Sequence, residues 1–162
     1  MRCTARSIQS SLCLLSSGCS PIPRTWSASP RSSRSWEAAI SFGGIGITGH
    51  LAFNEPDESL TPDEFAALRT RTLDIHPETR ATNCIADMGG SLEDFPRRCV
   101  TIGMHEILGA RKVRLGVFRD WHRAVVRRAA YGAVTAGFPA TLLQNHPDAL
   151  IYVNANAAQR AY

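Results

Sequence analysis

His50 and Glu55 are the residues whose types and spacing point most directly to chemistry. An imidazole can donate or accept a proton near neutral pH, and a histidine and a glutamate five residues apart at the end of a turn can supply acid–base chemistry. The stretch that ends at His50, residues 43–50, contains four glycines. Glycines this dense let the backbone turn sharply and approach a ligand closely, because no Cβ stands in the way. The sequence therefore predicts acid–base chemistry in this glycine turn.

The elements that must position the glycine turn alternate between short strands and short helices. An apolar run over residues 38–42 predicts a buried strand that leads into the turn. Further strands are predicted over residues 69–73, 99–103, 113–118 and 149–153, helices over 62–68, 104–108, 121–131, 139–144 and 155–162, and a turn followed by a polar segment over 76–80. This alternation indicates an α/β fold with a mostly parallel sheet.

Two of the predicted helices carry recognisable boundary residues. Thr61 and Glu64 fit the two halves of a capping box, and Pro62 fits the first helical position. Asp120 is the expected N-cap of the longest helix, and Gly132 is its expected stop.

Composition limits the classes of protein to which the chain can belong. With 162 residues, 44% of them apolar and 20% charged, it fits one ordinary globular domain. Residues 1–36 hold five arginines and no acid, so the other 126 residues carry 13 basic and 14 acidic groups, a net charge of −1. This balance gives no electrostatic reason to expect a nucleic-acid partner. No apolar run approaches the roughly 18–20 residues of a membrane-spanning helix.

Residues 1–36 differ in composition from the rest of the chain. They are rich in serine and arginine, contain no acid and are interrupted by prolines. We expect a disordered leader outside the fold, which an out-of-frame or truncated start would explain. An organelle transit peptide is the alternative, since such peptides share this composition. The folded domain is expected over residues 37–162.

The five cysteines form no CxxC pair and no spacing typical of metal ligands. Thiols in a reducing compartment are the simplest interpretation, which predicts a cytoplasmic protein without a structural metal.

The glycine turn also satisfies the dinucleotide-binding pattern GxGxxG over residues 44–49, after a predicted strand. A true fingerprint continues into a long helix whose N-terminus holds the pyrophosphate. Here Pro56 follows the last glycine by seven residues, and no second strand ending in an acid comes next. Nucleotide binding is therefore the weaker interpretation of this motif.

The longer string GGIGITGHLAFNEP, residues 43–56, resembles the glucosamine-6-phosphate deaminase/isomerase family. Further matches follow in the family's order at residues 70–73, 79–83, 101–104 and 143–147. The resemblance covers about residues 37–162, roughly the C-terminal half of a typical member. Residues 103–108 and 119–128 resemble a divergent, isomerase-like branch more than the best-known bacterial deaminases.

The resemblance implies a partial Rossmann-like three-layer fold that is truncated on its N-terminal side. It implies conversion of an amino-sugar phosphate to fructose 6-phosphate and ammonia, with no cofactor and no catalytic metal. The expected partner is a small sugar phosphate, and the resemblance also allows a homo-oligomer.

The resemblance also assigns roles within the glycine turn. His50 would help to open the sugar ring by moving a proton at the ring oxygen, and Glu55 would set its protonation and orientation. Substrate-binding residues are expected at Gly44, Gly46, Thr48, Gly49, Arg80 and His122.

Three positions depart from the family pattern. Thr48 stands where members commonly have an acid, and a hydroxyl cannot replace that charge. The arginine that many members use to hold phosphate aligns near Ile85, and the lysine that serves the same end falls near His122. Candidate substitutes are Arg80, Arg119 and Arg123.

The family's first half brings a phosphate loop and the aspartate that moves a proton between C1 and C2, and residues 1–36 contain neither. We therefore expect impaired activity in this chain. One alternative is a sugar-phosphate binder without catalysis. Another is a hydrolase of the 6-phosphogluconolactonase type, which also carries a GxxGH turn, although residues 52–56 favour the deaminase.

Overall fold

A computed structural model of the chain describes residues 39–160, all of which belong to one compact unit. The predicted leader over residues 1–36 lies outside the described residues. No helix within residues 39–160 has the length and apolar character needed to cross a membrane.

Strands and helices alternate along the described chain, as the sequence predicts. The strands are β1 (Ile40–Gly43), β2 (Arg71–Asp74), β3 (Arg98–Thr101), β4 (Lys112–Val117) and β5 (Ala149–Val153). The α-helices are α1 (Pro62–Ala66), α2 (Pro77–Asp87), α3 (Met104–Leu108) and α4 (His122–Tyr131), and a 3-10 helix spans Pro139–Asn145.

Three of the strands form a parallel sheet in the order β1-β4-β5. Its register places Phe42 beside Arg114, and Arg114 beside Leu150. This sheet confirms the predicted α/β fold. The other two strands, β2 and β3, form a separate antiparallel pair, which the alternation of elements does not predict. The loop over residues 88–97 returns the chain after α2, so β3 runs back along β2 instead of crossing over.

The hydrophobic core lies on one face of the parallel sheet. Every second side chain of the central strand β4 is buried there, at Val113, Leu115 and Val117. The same cluster includes Val125 and Ala129 from one face of α4. Period-two burial in the strand and burial at i and i+4 in the helix are what two packed elements require.

The opposite face of this sheet is open, so the prediction of a buried first strand is wrong. The side chains of Ile40 and Phe42 are 45% and 76% exposed. Strand β1 is an edge strand, and Leu150 and Tyr152 continue the same exposed surface on β5. An apolar run therefore marks a strand here without marking its burial.

The capping box is confirmed. The Thr61 hydroxyl accepts a hydrogen bond from the Glu64 N–H at 3.3 Å, and the Glu64 carboxylate accepts one from the Thr61 N–H at 2.9 Å. The predicted Asp120 cap is wrong, because Trp121 occupies the N-cap in a helical conformation without a side-chain cap. Gly132 ends α4 as predicted, in an extended conformation.

Two predictions on helices fail for physical reasons. Residues 76–80 are not a turn before a polar segment but the start of α2, an eleven-residue helix. This helix buries only Thr79 and Cys84, so its apolar periodicity is weak. Residues 155–158 form turns instead of the predicted helix over 155–162, whose last two residues lie outside the described range. The Asn154 side chain accepts the Ala157 N–H at 2.8 Å in the manner of an N-cap, and the Ala158 N–H donates to the Asn154 carbonyl at 3.0 Å, so the segment makes a single helical turn.

Candidate active site

The glycine turn leaves the carboxyl end of β1 and closes on itself through backbone hydrogen bonds. The Gly46 N–H donates to the His50 carbonyl at 3.0 Å, and the Gly49 N–H donates to the Gly46 carbonyl at 2.9 Å. His122 at the start of α4 holds the same turn, since its Nε2 lies 2.9 Å from the Ile45 carbonyl oxygen. Strand β1 and helix α4 therefore both fix the position of His50.

Two glycines of the turn are required by close contacts. The imidazole of His50 lies directly against Gly46, where an added Cβ would overlap the ring atoms Cε1 and Nε2. Gly49 adopts φ 82°, and an added Cβ there would lie 2.6 Å from the ring of Phe138. Gly44 is exposed, and an added Cβ would stand 3.4 Å from the Gly116 carbonyl oxygen. The predicted substrate contacts of these glycines stay predictions.

The predicted catalytic pair, His50 and Glu55, is in contact with two further side chains. His50 Nδ1 lies 3.1 Å from Glu55 Oε2. The Thr48 hydroxyl donates to the same carboxylate oxygen at 2.8 Å and lies 2.9 Å from His50 Nδ1. The Thr79 hydroxyl donates a short hydrogen bond to Glu55 Oε1. The structure thus brings together His50, Glu55 and Thr48, which the sequence singles out, and adds Thr79, which it does not.

Glu55 is held in its charged form. Burial raises the pKa of this carboxyl, but the hydrogen bond and charge of His50 and the hydroxyls of Thr79 and Thr48 outweigh it. The net effect is a pKa below the usual value. An ionised carboxylate beside Nδ1 favours the proton on that nitrogen.

The other ring nitrogen of His50 is open. No residue within 39–160 forms a hydrogen bond with Nε2, although the residue as a whole is only 8% exposed. Within that range Nε2 is therefore not committed to a protein partner. This nitrogen can exchange a proton with a ligand.

The loop between His50 and Glu55 is fixed by Asn54, which is fully buried. Its amide donates to the carbonyl oxygens of Leu51 at 2.9 Å and Ile102 at 2.8 Å. Its own oxygen accepts from Arg71 Nη1 at 2.8 Å. Ala52 in this loop adopts φ 52°, a left-handed conformation that costs energy without glycine. The hydrogen bonds of the Asn54 side-chain amide hold the chain in this turn.

Thr79 was missed because α2 was missed. It lies in the first turn of α2, is 1% exposed and comes 24 residues after Glu55. Its only signal in the sequence is its place in the family match over residues 79–83.

Arg80 lies next to Thr79 but directs its guanidinium toward the loop after α2. Its nitrogens donate to the carbonyl oxygens of Leu92 at 2.9 Å, Phe95 at 3.0 Å and Pro96 at 3.2 Å. These bonds organise the loop. The predicted role of Arg80 in substrate binding stays a prediction.

His122 has both ring nitrogens in use. Nδ1 accepts the Arg119 N–H at 3.0 Å, and Nε2 faces the Ile45 carbonyl. Burial lowers the pKa of this imidazole, the charge of Arg119 lowers it further, and the hydrogen bonds to the backbone only partly oppose them. His122 is thus a neutral link between α4 and the glycine turn. The predicted role of His122 in substrate binding also stays a prediction.

The two other candidate arginines are also engaged. Arg119 Nη2 lies 3.8 Å from Asp87 Oδ1, and Arg123 Nε donates to the Asn156 carbonyl at 3.0 Å. Both pairings lie at the protein surface and can exchange for a ligand anion at little cost.

A cavity of about 610 Å³ lies along α4, away from the His50–Glu55 pair. Ile47 and Phe138 line it on the side of the glycine turn, and three arginines, Arg127, Arg128 and Arg160, also line it. Neither His50 nor Glu55 does. Within the described range, no three His, Cys, Asp or Glu residues cluster as metal ligands.

The chain matches no protein-family model. It is 37% identical to the glucosamine-6-phosphate deaminase of Mycolicibacterium smegmatis over 139 residues, which are 81% of this chain and 51% of that protein. It is 37% identical to that of Beutenbergia cavernae over 117 residues, 72% of this chain and 42% of that protein. A solved structure described as a monomeric glucosamine-6-phosphate deaminase of the NagB superfamily superimposes with a TM-score of 0.65. It has 28% identity, and the match covers 74% of this chain and 46% of that one.

The chain belongs to the glucosamine-6-phosphate deaminase family. The family resemblance read from residues 43–56 is thereby confirmed. The chain spans about half the length of the curated deaminases that it matches. A 6-phosphogluconolactonase from Leishmania guyanensis has the same fold, with a TM-score of 0.51 and 18% identity over 76% of this chain and 41% of that one.

Proposed function

We propose that this member of the deaminase family acts in amino-sugar phosphate metabolism, converting glucosamine 6-phosphate to fructose 6-phosphate and ammonia. The observation that carries the proposal is the state of His50. Its Nδ1 faces the Glu55 carboxylate at 3.1 Å, and no residue within 39–160 bonds its Nε2. A histidine held in this way suits proton transfer at a sugar oxygen.

The proposed role of His50 is the opening of the sugar ring. Opening breaks the bond between C1 and the ring oxygen, so that oxygen gains a proton from Nε2 while the C1 hydroxyl gives one to the Nε2 that this transfer leaves unprotonated. Protonated His50 gives the proton through Nε2, and Glu55 stabilises the charged imidazole before the transfer. The later transfer of a proton between C1 and C2 needs a second base.

Binding of a sugar phosphate without turnover is the second candidate function. Within residues 39–160, the polar side-chain partners of the His50 ring are one carboxylate and two threonine hydroxyls. Glu55 already accepts hydrogen bonds on both oxygens, which makes it a poor base for carbon chemistry. This arrangement favours a site that binds the sugar better than it converts it.

The domain boundaries and setting are part of the same proposal. We propose a leader over residues 1–36, a functional domain over residues 37–162 and a cytoplasmic location. Assembly into a homo-oligomer is also a proposal, which the solved deaminase described as monomeric does not favour.

The test is ammonia release from glucosamine 6-phosphate by the full 162-residue chain. General acid–base catalysis contributes about 100- to 10,000-fold, so His50→Asn should lower the rate by at least about 100-fold. His105→Asn, which changes an exposed histidine on α3, should leave the rate unchanged. Ligand-induced thermal stabilisation without ammonia would instead support the binder. The absence of both ammonia release and ligand-induced stabilisation would contradict both functions.

A further inference from the structure

The two threonine hydroxyls beside Glu55 both donate their hydrogen bonds to its carboxylate. Thr48 donates to Oε2 at 2.8 Å, and Thr79 donates to Oε1. A hydroxyl has a single proton to give. Each carboxylate oxygen is therefore held by its own donor, one from the glycine turn and one from helix α2, so the carboxylate cannot rotate freely about its bond.

This arrangement decides which nitrogen of His50 carries the proton. Nδ1 lies 2.9 Å from the Thr48 hydroxyl oxygen, 3.1 Å from Glu55 Oε2 and 3.4 Å from the Thr79 hydroxyl oxygen. Because both hydroxyl protons point at Glu55, all three oxygens turn lone pairs toward Nδ1. An unprotonated Nδ1 would face only acceptors, so the neutral imidazole carries its proton there and its lone pair on Nε2.

We propose that Thr48 and Thr79 are positioning residues that act together as a hydroxyl clamp, fixing the Glu55 carboxylate and the Nδ1–H form of His50 so that Nε2 faces the ligand. The identity of that ligand as an amino-sugar phosphate rests on the proposed function. The clamp itself does not, because every contact in it lies within the chain.

The clamp gives Thr48 a role that its departure from the family pattern obscures. An acid at this position would add a second negative charge to the site and would repel Glu55. The hydroxyl instead donates to Glu55 and accepts from the imidazole. The site therefore keeps the orientation of its histidine with a single carboxylate.

Titration of Glu55 by carbon-13 NMR in the full chain tests the clamp. Thr79→Val keeps the buried volume but removes the hydroxyl, and the Glu55 midpoint should rise by about one pH unit. Thr79→Ser keeps the hydroxyl and should hold the midpoint near that of the native protein. The matched control is Thr82→Val, on the same helix, whose hydroxyl donates only to the Glu78 carbonyl. It should leave the Glu55 midpoint unchanged.

Two results of the Glu55 titration would overturn the clamp. One is an unchanged Glu55 midpoint in Thr79→Val. The other is an equal shift in Thr79→Ser, which would mean that methyl packing matters and the hydroxyl does not. Nitrogen-15 shifts of His50 add a second readout, since a neutral form with its proton on Nε2 would also contradict the proposal. If Thr79→Val fails to fold, the half-buried Thr48→Val gives the same test.

Ammonia release measured on the same proteins separates this inference from the proposed function. A shifted Glu55 midpoint without ammonia release by the native chain leaves the clamp standing and removes the deaminase. Ammonia release with an unmoved midpoint leaves the deaminase standing and removes the clamp.

Discussion

At the scale of single residues, the site requires a position without a side chain as well as the side chains of His50 and Glu55. The imidazole of His50 occupies the space that a side chain at Gly46 would need. This explains one glycine of the turn by packing alone, without any contact to a ligand. Gly43, in contrast, has room, because an added Cβ would stand 3.5 Å from Leu115 Cδ2.

Gly46→Ala should therefore displace His50, while Gly43→Ala should not. The overlap must be relieved by moving the ring or the turn, and such overpacking costs about 1–3 kcal/mol. We expect lower stability in urea and altered ring shifts of His50 by NMR for Gly46→Ala. Equal effects from both substitutions would contradict this account of the turn.

At the scale of elements, the glycine turn is held from three sides. Strand β1 delivers it, α4 reaches it through His122, and α2 reaches its histidine through Thr79. The bond from His122 to the Ile45 carbonyl joins residues 77 apart in sequence. The pKa of His122 is lowered chiefly by burial. A second link, in which Nδ1 accepts the Arg119 N–H, is intact only while the imidazole is neutral, because a protonated ring has no acceptor nitrogen.

The link predicts a pH dependence of stability. The folded pKa of His122 lies below 6.5, so the unfolded chain binds the proton first as pH falls. The free energy of unfolding should hold above about pH 6.5 and decline below it, toward the folded pKa. His122→Asn should be less stable at pH 7 and show a flatter slope over this window, measured by urea unfolding. The control His105→Asn should keep the slope, and an unchanged slope in His122→Asn would rule out this link as its source.

At the scale of the whole molecule, the parallel sheet has one face that the rest of residues 39–160 covers and one face that they leave open. Parallel sheets are almost always covered on both faces. The open face presents four large apolar side chains, those of Ile40, Phe42, Leu150 and Tyr152. An exposed apolar surface of this kind promotes association.

The chain should therefore self-associate with rising concentration, as measured by light scattering. Phe42→Thr combined with Tyr152→Thr should reduce association and change stability by less than about 0.5 kcal/mol, since both side chains are exposed. Ile85→Thr removes an equally exposed side chain from α2 and should not reduce association. A native chain that stays monomeric at every concentration would contradict this prediction.

Features that depend on near neighbours could be predicted from the sequence alone. Residues a few positions apart account for three such features. They are the capping box of Thr61 and Glu64, the bounds of α3 and β5, and the pairing of His50 with Glu55. The family membership also follows from the sequence, because the string over residues 43–56 is specific. Local signals of this kind need no knowledge of the rest of the chain.

Features that join distant residues could be recognised only in the folded chain. Thr79 meets His50 across 29 positions, and β3 pairs with β2 in the antiparallel sense. Helix α2 has too little apolar periodicity to be recognised from the sequence, because it buries only two side chains. The burial of β1 likewise depends on what packs against it. Such contacts arise from the way the elements meet, and no short stretch of sequence carries that information.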